Sequence, residues 1–206
     1  MMKASFIRAI IFDFGNVICT FDNRIFLKRL TAYTEKSVSE LEELIYRSSD
    51  ISRRFETGAA TSEEFFSDIV SRCGLTISMA DFIRAFTDIF SPIPTTIQLV
   101  KKVKLRYKIA LLSNTNELDF EHAIKRTEIF HLFDAVTVSF EVHALKPAEK
   151  IYRDVLAKLH LQASECLYVD DIKEYVDAAG GLGFHSVHYT SHQHLLDAFR
   201  RLHVHV

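Results

Sequence analysis

The sequence contains little of several residue types, and each scarcity limits what this protein is. Its 206 residues include only three cysteines, which are odd in number and widely spaced, so we expect neither a disulfide framework nor a cysteine metal site. Three prolines and six glycines leave no low-complexity stretch. No apolar run approaches the roughly 18 residues of a membrane helix. The apolar stretch after Lys3 and Arg8 is cut by Asp13, which is a poor pattern for a signal peptide.

Charge of one sign is also lacking, because the formal net charge is only -2 at pH 7. A near-neutral chain offers no reason to expect a nucleic-acid or membrane partner. Its length suits one domain with a sizeable insertion, or two small domains. Unpaired thiols are typical of a reducing compartment, so we expect a cytoplasmic protein. The sequence leaves the oligomeric state open.

The most informative segment is the apolar run of residues 10–12, which ends in Asp13 and is followed two places later by Gly15. A carboxylate is costly to place at the end of a buried strand. Open α/β sheets bind ligands at the carboxyl ends of their strands, so Asp13 is predicted to face a ligand. Gly15 lets the backbone approach that ligand closely. Aspartate is a competent nucleophile towards phosphorus or an activated carbon.

Two further apolar runs also end in polar residues. The first ends in Ser113 and Asn114, and the second ends in Asp170 and Asp171. Adjacent buried carboxylates repel one another unless a cation lies between them, and Mg²⁺ is commonly held by one or two carboxylates, backbone oxygen and water. Ser113 and Asn114 are candidate ligands for a phosphoryl oxygen, although a serine after a strand also commonly caps a helix. Lys146, just before Pro147, supplies a cation.

The hydrophobic pattern divides the chain into two kinds of structure. Residues 7–12 are predicted to form a buried strand, and residues 22–90 have helical periodicity and no convincing strand. Thr61 or Ser62, with Glu64 behind it, marks a helix N-terminus there. After Pro92 and Pro94 the predicted elements alternate: strand 108–112, helix 117–126, strand 135–139, helix 148–160, strand 166–169, helix 174–182, strand 185–189 and helix 194–202. This alternation predicts an α/β fold with a doubly wound parallel sheet, interrupted by an all-helical insert.

Together these segments resemble the haloacid dehalogenase-like hydrolase superfamily, in particular the branch with a helical cap inserted after the first motif. The resemblance covers essentially the whole chain. It implies a Rossmann-like core of residues 1–20 and 92–206, a cap of residues 21–91, and Mg²⁺-dependent hydrolysis of small phosphorylated metabolites through an aspartyl-phosphate. Asp13 matches the nucleophile and Lys146 the lysine that steadies it.

The same resemblance assigns the other site residues. Ser113 matches the phosphate-binding hydroxyl, with the Asn114 amide beside it. Asp171 matches the metal aspartate, and Asp170 is a second ligand or supports the first. The metal would also take a carboxylate oxygen of Asp13 and the backbone carbonyl of Gly15, where the family motif contributes one.

One departure from the family pattern concerns the chemistry directly. Phosphatases of this superfamily typically carry a second aspartate two residues after the nucleophile, as general acid and base, and this chain has Gly15 there. Protonation of a leaving group contributes about 10²–10⁴-fold. The chain is therefore a phosphatase for good leaving groups such as sugar 1-phosphates, a metal-independent haloacid dehalogenase, or a ligand-binding protein without turnover. The Asp13-Phe-Gly-Asn motif resembles a sugar-phosphatase-like subgroup with glycine at this place.

Other residues invite a functional role more weakly. Asp22 and Glu56 are candidates for the missing acid, although charged loop residues are the simpler account. Tyr175 stands where the family often has Asn or Asp, which would weaken support of Asp171. Cys19 is expected to be a small buried apolar residue. The histidines near the C-terminal end are spread over a strand, a helix and a tail, so we expect no metal site from them.

Overall fold

The computed structural model describes residues 6–206 and contains seven strands in that range. They are β1 (Ala9–Phe12), β2 (Cys19–Phe21), β3 (Phe90–Pro92), β4 (Lys108–Ser113), β5 (Ala135–Val138), β6 (Cys166–Asp170) and β7 (His185–His188). Five of these form one sheet in the order β5-β4-β1-β6-β7, and every neighbouring pair is parallel. Because β1 is central and later strands are added on both sides of it, the sheet is doubly wound, as predicted.

The same range contains eleven α-helices. They are α1 (Asn23–Leu30), α2 (Val38–Glu42), α3 (Ile51–Glu56), α4 (Ser62–Cys73), α5 (Met79–Thr87), α6 (Pro94–Val103), α7 (Glu117–His122), α8 (Ser139–Val142), α9 (Glu149–Leu159), α10 (Lys173–Gly181) and α11 (His192–Arg201). A π-helical turn, Glu43–Arg47, follows α2. None of the described helices has the length and apolar character needed to cross a membrane.

Strand β1 is buried on both faces of the sheet. Ile10 and Phe12 pack into a hydrophobic cluster with α6 and α11, whereas Ala9 and Ile11 pack into a second cluster with α9. All four side chains are completely buried. A strand covered on both faces has a continuous apolar sequence instead of an alternating one, which explains why residues 9–12 carry no polar side chain. The core is thus an α/β sandwich with Asp13 at the carboxyl end of its central strand.

The helices α1 to α5 lie between β2 and β3, and we call residues 22–89 the helical insert. Strands β2 and β3 pair antiparallel, with Cys19 opposite Pro92 and Phe21 opposite Phe90, so both ends of the insert leave the core side by side. The insert has its own hydrophobic cluster, which Leu118 of α7 joins from the core. Five phenylalanines in mutual ring contact form its centre: Phe26, Phe55, Phe65, Phe82 and Phe86.

Most predicted elements are present, with ends displaced by at most two residues except in the helix predicted at 117–126. The capping box of Thr61 and Glu64 starts α4, as predicted. The predicted helix 117–126 ends at His122 and continues as a 3₁₀ turn, Ile124–Arg126. The expectation of no strand in residues 22–90 was wrong at its edge, because Phe90 begins β3. The predicted domain boundaries, 20/21 and 91/92, therefore fall inside the β2–β3 ribbon, whose three-residue strands are too short to show alternation.

The turn after α3 fixes the insert to the core. The Ser139 Oγ of α8 lies 2.7 Å from the Glu56 carbonyl oxygen, and His143 Nδ1 lies 2.9 Å from the Thr57 carbonyl oxygen. Gly58 has a positive φ of 67°, and a Cβ there would lie 2.2 Å from the backbone oxygen of Phe140. The absence of a side chain at Gly58 therefore permits this close backbone approach.

Replacement of Gly58 by alanine is expected to lower the free energy of unfolding by roughly 2–4 kcal/mol. The loss combines the cost of a left-handed backbone with that of overpacking against the core. Gly74→Ala is the matched control, because Gly74 has a φ of 60° and a Cβ there meets nothing within 4 Å. Urea denaturation of both variants measures the difference. Equal losses would show that the contact with Phe140 contributes nothing.

Candidate functional site

Asp13, Lys146 and Asp170 form a buried ion-pair cluster at the carboxyl ends of β1 and β6. Lys146 Nζ donates to Asp13 Oδ1 at 2.8 Å and to Asp170 Oδ2 at 2.7 Å. The three side chains are 2%, 9% and 0% exposed for Lys146, Asp13 and Asp170 respectively. Tyr168 also donates to Asp170 Oδ2, and the Ile172 N–H donates to Asp170 Oδ1 at 2.8 Å. The Asp170 carboxylate therefore accepts hydrogen bonds from several donors. The second oxygen of Asp13, Oδ2, lies next to Gly15 instead.

The charges of this cluster depend on one another. Burial raises the pKa of Asp13, Lys146 lowers it and Asp170 raises it, and the net result is a pKa well above the ordinary carboxyl value. Burial opposes the charge on Lys146, but Asp13 and Asp170 outweigh it, so the pKa of Lys146 is raised. Lys146 consequently stays a cation, while the ionised form of Asp13 is disfavoured by burial and would be stabilised by a further cation beside it.

Asp171 completes a group of three carboxylates whose oxygens, one each from Asp13, Asp170 and Asp171, lie within 4.8 Å of one another. Asn16 Nδ2 donates to Asp171 Oδ2 at 3.0 Å, and His188 Nε2 lies 2.9 Å from the Asp171 carbonyl oxygen. These two supporting residues were missed by the sequence reasoning. Asn16 stands inside the first motif, but nothing in its spacing relates it to Asp171, 155 positions later.

Ser113 and Asn114 lie at the carboxyl end of β4, next to β1. Ser113 is buried, and its Oγ lies 3.4 Å from the Asn114 carbonyl oxygen. The Asn114 side chain is turned onto the main chain of Lys146, where Oδ1 accepts from the Lys146 N–H at 2.8 Å and Nδ2 donates to the Lys146 carbonyl at 3.3 Å. In this structure the Asn114 amide holds the lysine segment in place, and its predicted contact with a phosphoryl oxygen stays a prediction.

Several weaker candidates are resolved by their contacts. Asp22 caps α1 by accepting from the Arg24 N–H at 2.9 Å, which is a structural role. Tyr175 lies against Lys146, with its ring centre 5.0 Å from Lys146 Nζ. The contacts of Asp171 are made by Asn16 and His188 instead. Cys19 is buried, and burial raises the pKa of its thiol to about 11, consistent with an inert apolar residue. Within residues 6–206 the three aspartates are the one group with metal-ligand spacing, so the histidines form no such site.

A cavity of about 130 Å³ lies between the helical insert and this end of the sheet. Gly15, Ser113 and Asn114 line it from the core, and Glu56 lines it from the insert. The site residues predicted from four separate segments thus meet at one edge of the sheet, beside this cavity. Such an arrangement of a buried aspartate, a fixed cation, clustered carboxylates and a cavity suits hydrolysis of a small anionic ester.

Comparison with known proteins relates this chain to hydrolases. A sequence model of the haloacid dehalogenase-like hydrolases matches residues 7–183. The chain is similar to the D-ribitol-5-phosphate phosphatase of Bacteroides thetaiotaomicron, with 25% identity over 187 residues that cover 86% of this chain and 89% of the relative. It is also similar to a sesquiterpene phosphatase of Aspergillus oryzae, with 26% identity over 185 residues that cover 89% and 90% of the two chains.

A solved structure has the same fold. This structure is of a haloacid dehalogenase family enzyme from Bacteroides thetaiotaomicron, in complex with magnesium and inorganic phosphate. Its TM-score to this chain is 0.77, at 20% sequence identity. The superposition covers 88% of this chain and 93% of that one. The likeness shows that the two chains share their overall fold.

Proposed function

Since the chain belongs to the haloacid dehalogenase-like hydrolase family, we propose that it is a Mg²⁺-dependent phosphatase of small phosphorylated metabolites. The observation that carries this proposal is the position of Asp13. Its carboxylate is paired with Lys146 on one side and joins two further carboxylates on the other, beside a cavity of small-molecule size. Phosphatases among the similar proteins support the reaction type.

The residues at the site fit a magnesium ion. Three carboxylates and one lysine give the cluster a formal charge of -2, from three negative charges and one positive. Carboxylate and backbone oxygens are the ligands that Mg²⁺ prefers. Asp13 and Asp171 would hold the ion together with the Gly15 carbonyl, while Asp170 is already engaged by Lys146 and Tyr168. Bound there, the ion would neutralise charge on the phosphoryl group and position it.

The residues of the chain then have separable roles. Asp13 attacks phosphorus in line, the P–O ester bond breaks as an aspartyl-phosphate forms, and the leaving oxygen departs with the electron pair and takes its proton from water. Lys146 stays protonated, orients Asp13 and stabilises the charge that develops on the phosphoryl oxygens. Ser113 donates its hydroxyl to one of those oxygens. Water then hydrolyses the aspartyl-phosphate, which releases inorganic phosphate and restores Asp13. The helical insert, acting as a cap, excludes bulk water during the transfer.

Two alternatives are less consistent with this site. A metal-independent dehalogenase has no need of three carboxylates within ligand distance of one another, whose repulsion a cation relieves. A binding protein without turnover has no need of a nucleophile oriented by a buried lysine. The buried free cysteines support a reducing environment, and we infer a cytoplasmic location.

Magnesium-dependent release of phosphate is the expected result when the protein is given a panel of acyl, aryl and sugar phosphates. Release is expected to stop on addition of chelator and to be absent in the Asp13→Asn variant, which retains the shape of the side chain but not its nucleophilicity. A colorimetric phosphate assay measures both. Release that persists in Asp13→Asn would exclude the aspartyl-phosphate route, and halide release from 2-haloacids in chelator would identify a dehalogenase.

A further inference from the structure

The cavity between the insert and the core lies where a leaving group would be held, so the following inference rests on the proposed function. It shares Gly15, Ser113 and Asn114 with the phosphoryl end of the site. Phe55, Phe65 and Phe86 supply apolar walls from the insert. Other apolar residues complete these walls, and the polar part of the lining contains two carboxylates.

Two carboxylates from different parts of the chain line this cavity. Glu56 ends α3 in the insert, and Asp119 lies in α7 of the core. Asn116 Nδ2 donates to Asp119 Oδ2 at 2.8 Å. The other oxygen, Asp119 Oδ1, is buried and has no hydrogen-bond partner among the described residues. A buried polar atom without a partner is costly, so a donor from a ligand would relieve a penalty already present in the structure.

The cavity contains no compensating cation. Lys, Arg and His are absent from the described residues that line it. Burial raises the pKa of Asp119 to about 7, with Asn116 lowering it and Glu56 raising it, and burial also raises the pKa of Glu56. Near neutral pH, Asp119 is therefore present in both its ionised form, which accepts hydrogen bonds, and its protonated form, which also donates one.

Two further local features belong to this wall. The Glu56 carbonyl oxygen lies 2.7 Å from Ser139 Oγ, so docking of the insert sets the end of α3. Tyr46, on the π-helical turn Glu43–Arg47, lines the same cavity. Single π-turns within helical segments frequently occur at functional sites. The insert and the core thus each contribute part of one acidic, hydrogen-bonding wall.

We propose that Glu56, Asp119 and Tyr46 select an uncharged, hydroxyl-bearing leaving group and reject one that carries a carboxylate. A hydroxyl both donates and accepts, so it matches either protonation state of the two acids. An ammonium group only donates, so it cannot accept from a protonated acid, and its burial costs hydration. A carboxylate would meet like charges without a nearby cation. The aromatic walls would contact the carbon–hydrogen faces of a sugar or polyol.

The matched pair sn-glycerol 1-phosphate and D-3-phosphoglycerate tests this selection, because the two share one configuration and differ only in a terminal hydroxymethyl group versus a carboxylate. Binding is measured by calorimetry with Mg²⁺ on the full-length Asp13→Asn protein, which does not turn the ligands over. We expect the glycerol ester to bind at least about tenfold more tightly. In Asp13→Asn with Glu56→Gln and Asp119→Asn, we expect this preference to fall below about threefold.

Glu121→Gln, added to Asp13→Asn, is the control, because it removes an exposed carboxylate from the same helix α7 outside the cavity and should leave the preference unchanged.

If the neutralised protein unfolds, Glu56→Gln and Tyr46→Phe are tested singly and should each reduce the preference. An unaltered preference in those variants overturns the proposal. Tighter binding of O-phosphoethanolamine than of 2-hydroxyethyl phosphate also overturns it, since the pair would then select a cation. Phosphate release by the wild type is measured separately. If no phosphate is released, the proposed reaction is wrong, but the binding preference measured in the variants still stands.

Discussion

Replacement of Lys146 by methionine is expected to lower the free energy of unfolding by about 3–5 kcal/mol in the absence of divalent cations. Lys146 is the shared partner of Asp13 and Asp170, and all three side chains are buried. Methionine fills a similar volume but leaves two carboxylates facing each other without their cation. The cost arises from the uncompensated buried charge and not from lost packing. Urea denaturation with and without chelator measures it.

Magnesium should reverse part of that loss. Without the lysine the formal charge of the cluster changes from -2 to -3, counting the three carboxylates alone. A dication that binds only the folded protein stabilises it by mass action, and the more negative site should bind it more tightly. We therefore expect Mg²⁺ to raise the unfolding midpoint more in Lys146→Met than in the wild type. Catalytic efficiency should still fall by about 10²–10³-fold, because one electrostatic contact to the transferring group is lost.

Lys173→Met is the control for this variant. Lys173 is paired with Asp177 on α10, but both side chains are largely exposed, at 69% and 62%. Exposed pairs contribute at most about 1 kcal/mol, so the stability of this control should barely change. A similar small loss in Lys146→Met would mean that the buried ion pairs are not formed in solution.

The parts of this site that could be predicted from sequence are those that end buried strands. Asp13, Ser113 and Asp170 each follow or end an apolar run, and parallel strands bring such ends to one edge. The rest depends on contacts between distant segments. Glu56 was considered as an acid because it lies just before Gly58, but Asp119 was not considered. Asp119 and Glu56 are 63 positions apart in the chain, and only docking of the insert brings them to one cavity. Strands β2 and β3 were missed because three residues are too few to show a period.

The reason for glycine at position 15 is also a matter of tertiary contact. A Cβ there would lie 3.0 Å from Cε1 of Phe21 and 3.5 Å from its Cδ1. Phe21 belongs to the ribbon and packs on Phe90, with 6.0 Å between ring centres. The ring therefore occupies space that a side chain at position 15 needs, and adding an aspartate alone is expected to produce little gain. Phe21 is 42% exposed, so it can be removed without opening the core.

Combining Gly15→Asp with Phe21→Ala is expected to raise kcat for alkyl phosphates by about 10²-fold, the low end of what a general acid contributes. An alkoxide leaves poorly unless it is protonated, whereas aryl and acyl phosphates have leaving groups that need little help. Their turnover should therefore change by less than about threefold.

Steady-state phosphate release from both substrate classes is compared for the two single variants and the double variant, with Phe21→Ala as the control for the lost ring. A gain confined to alkyl phosphates in the double variant would identify Phe21 as the obstacle and the missing proton donor as the limit on the wild type. If the double variant gains nothing, a different residue already protonates the leaving group, and the cavity carboxylates Glu56 and Asp119 become the next to test.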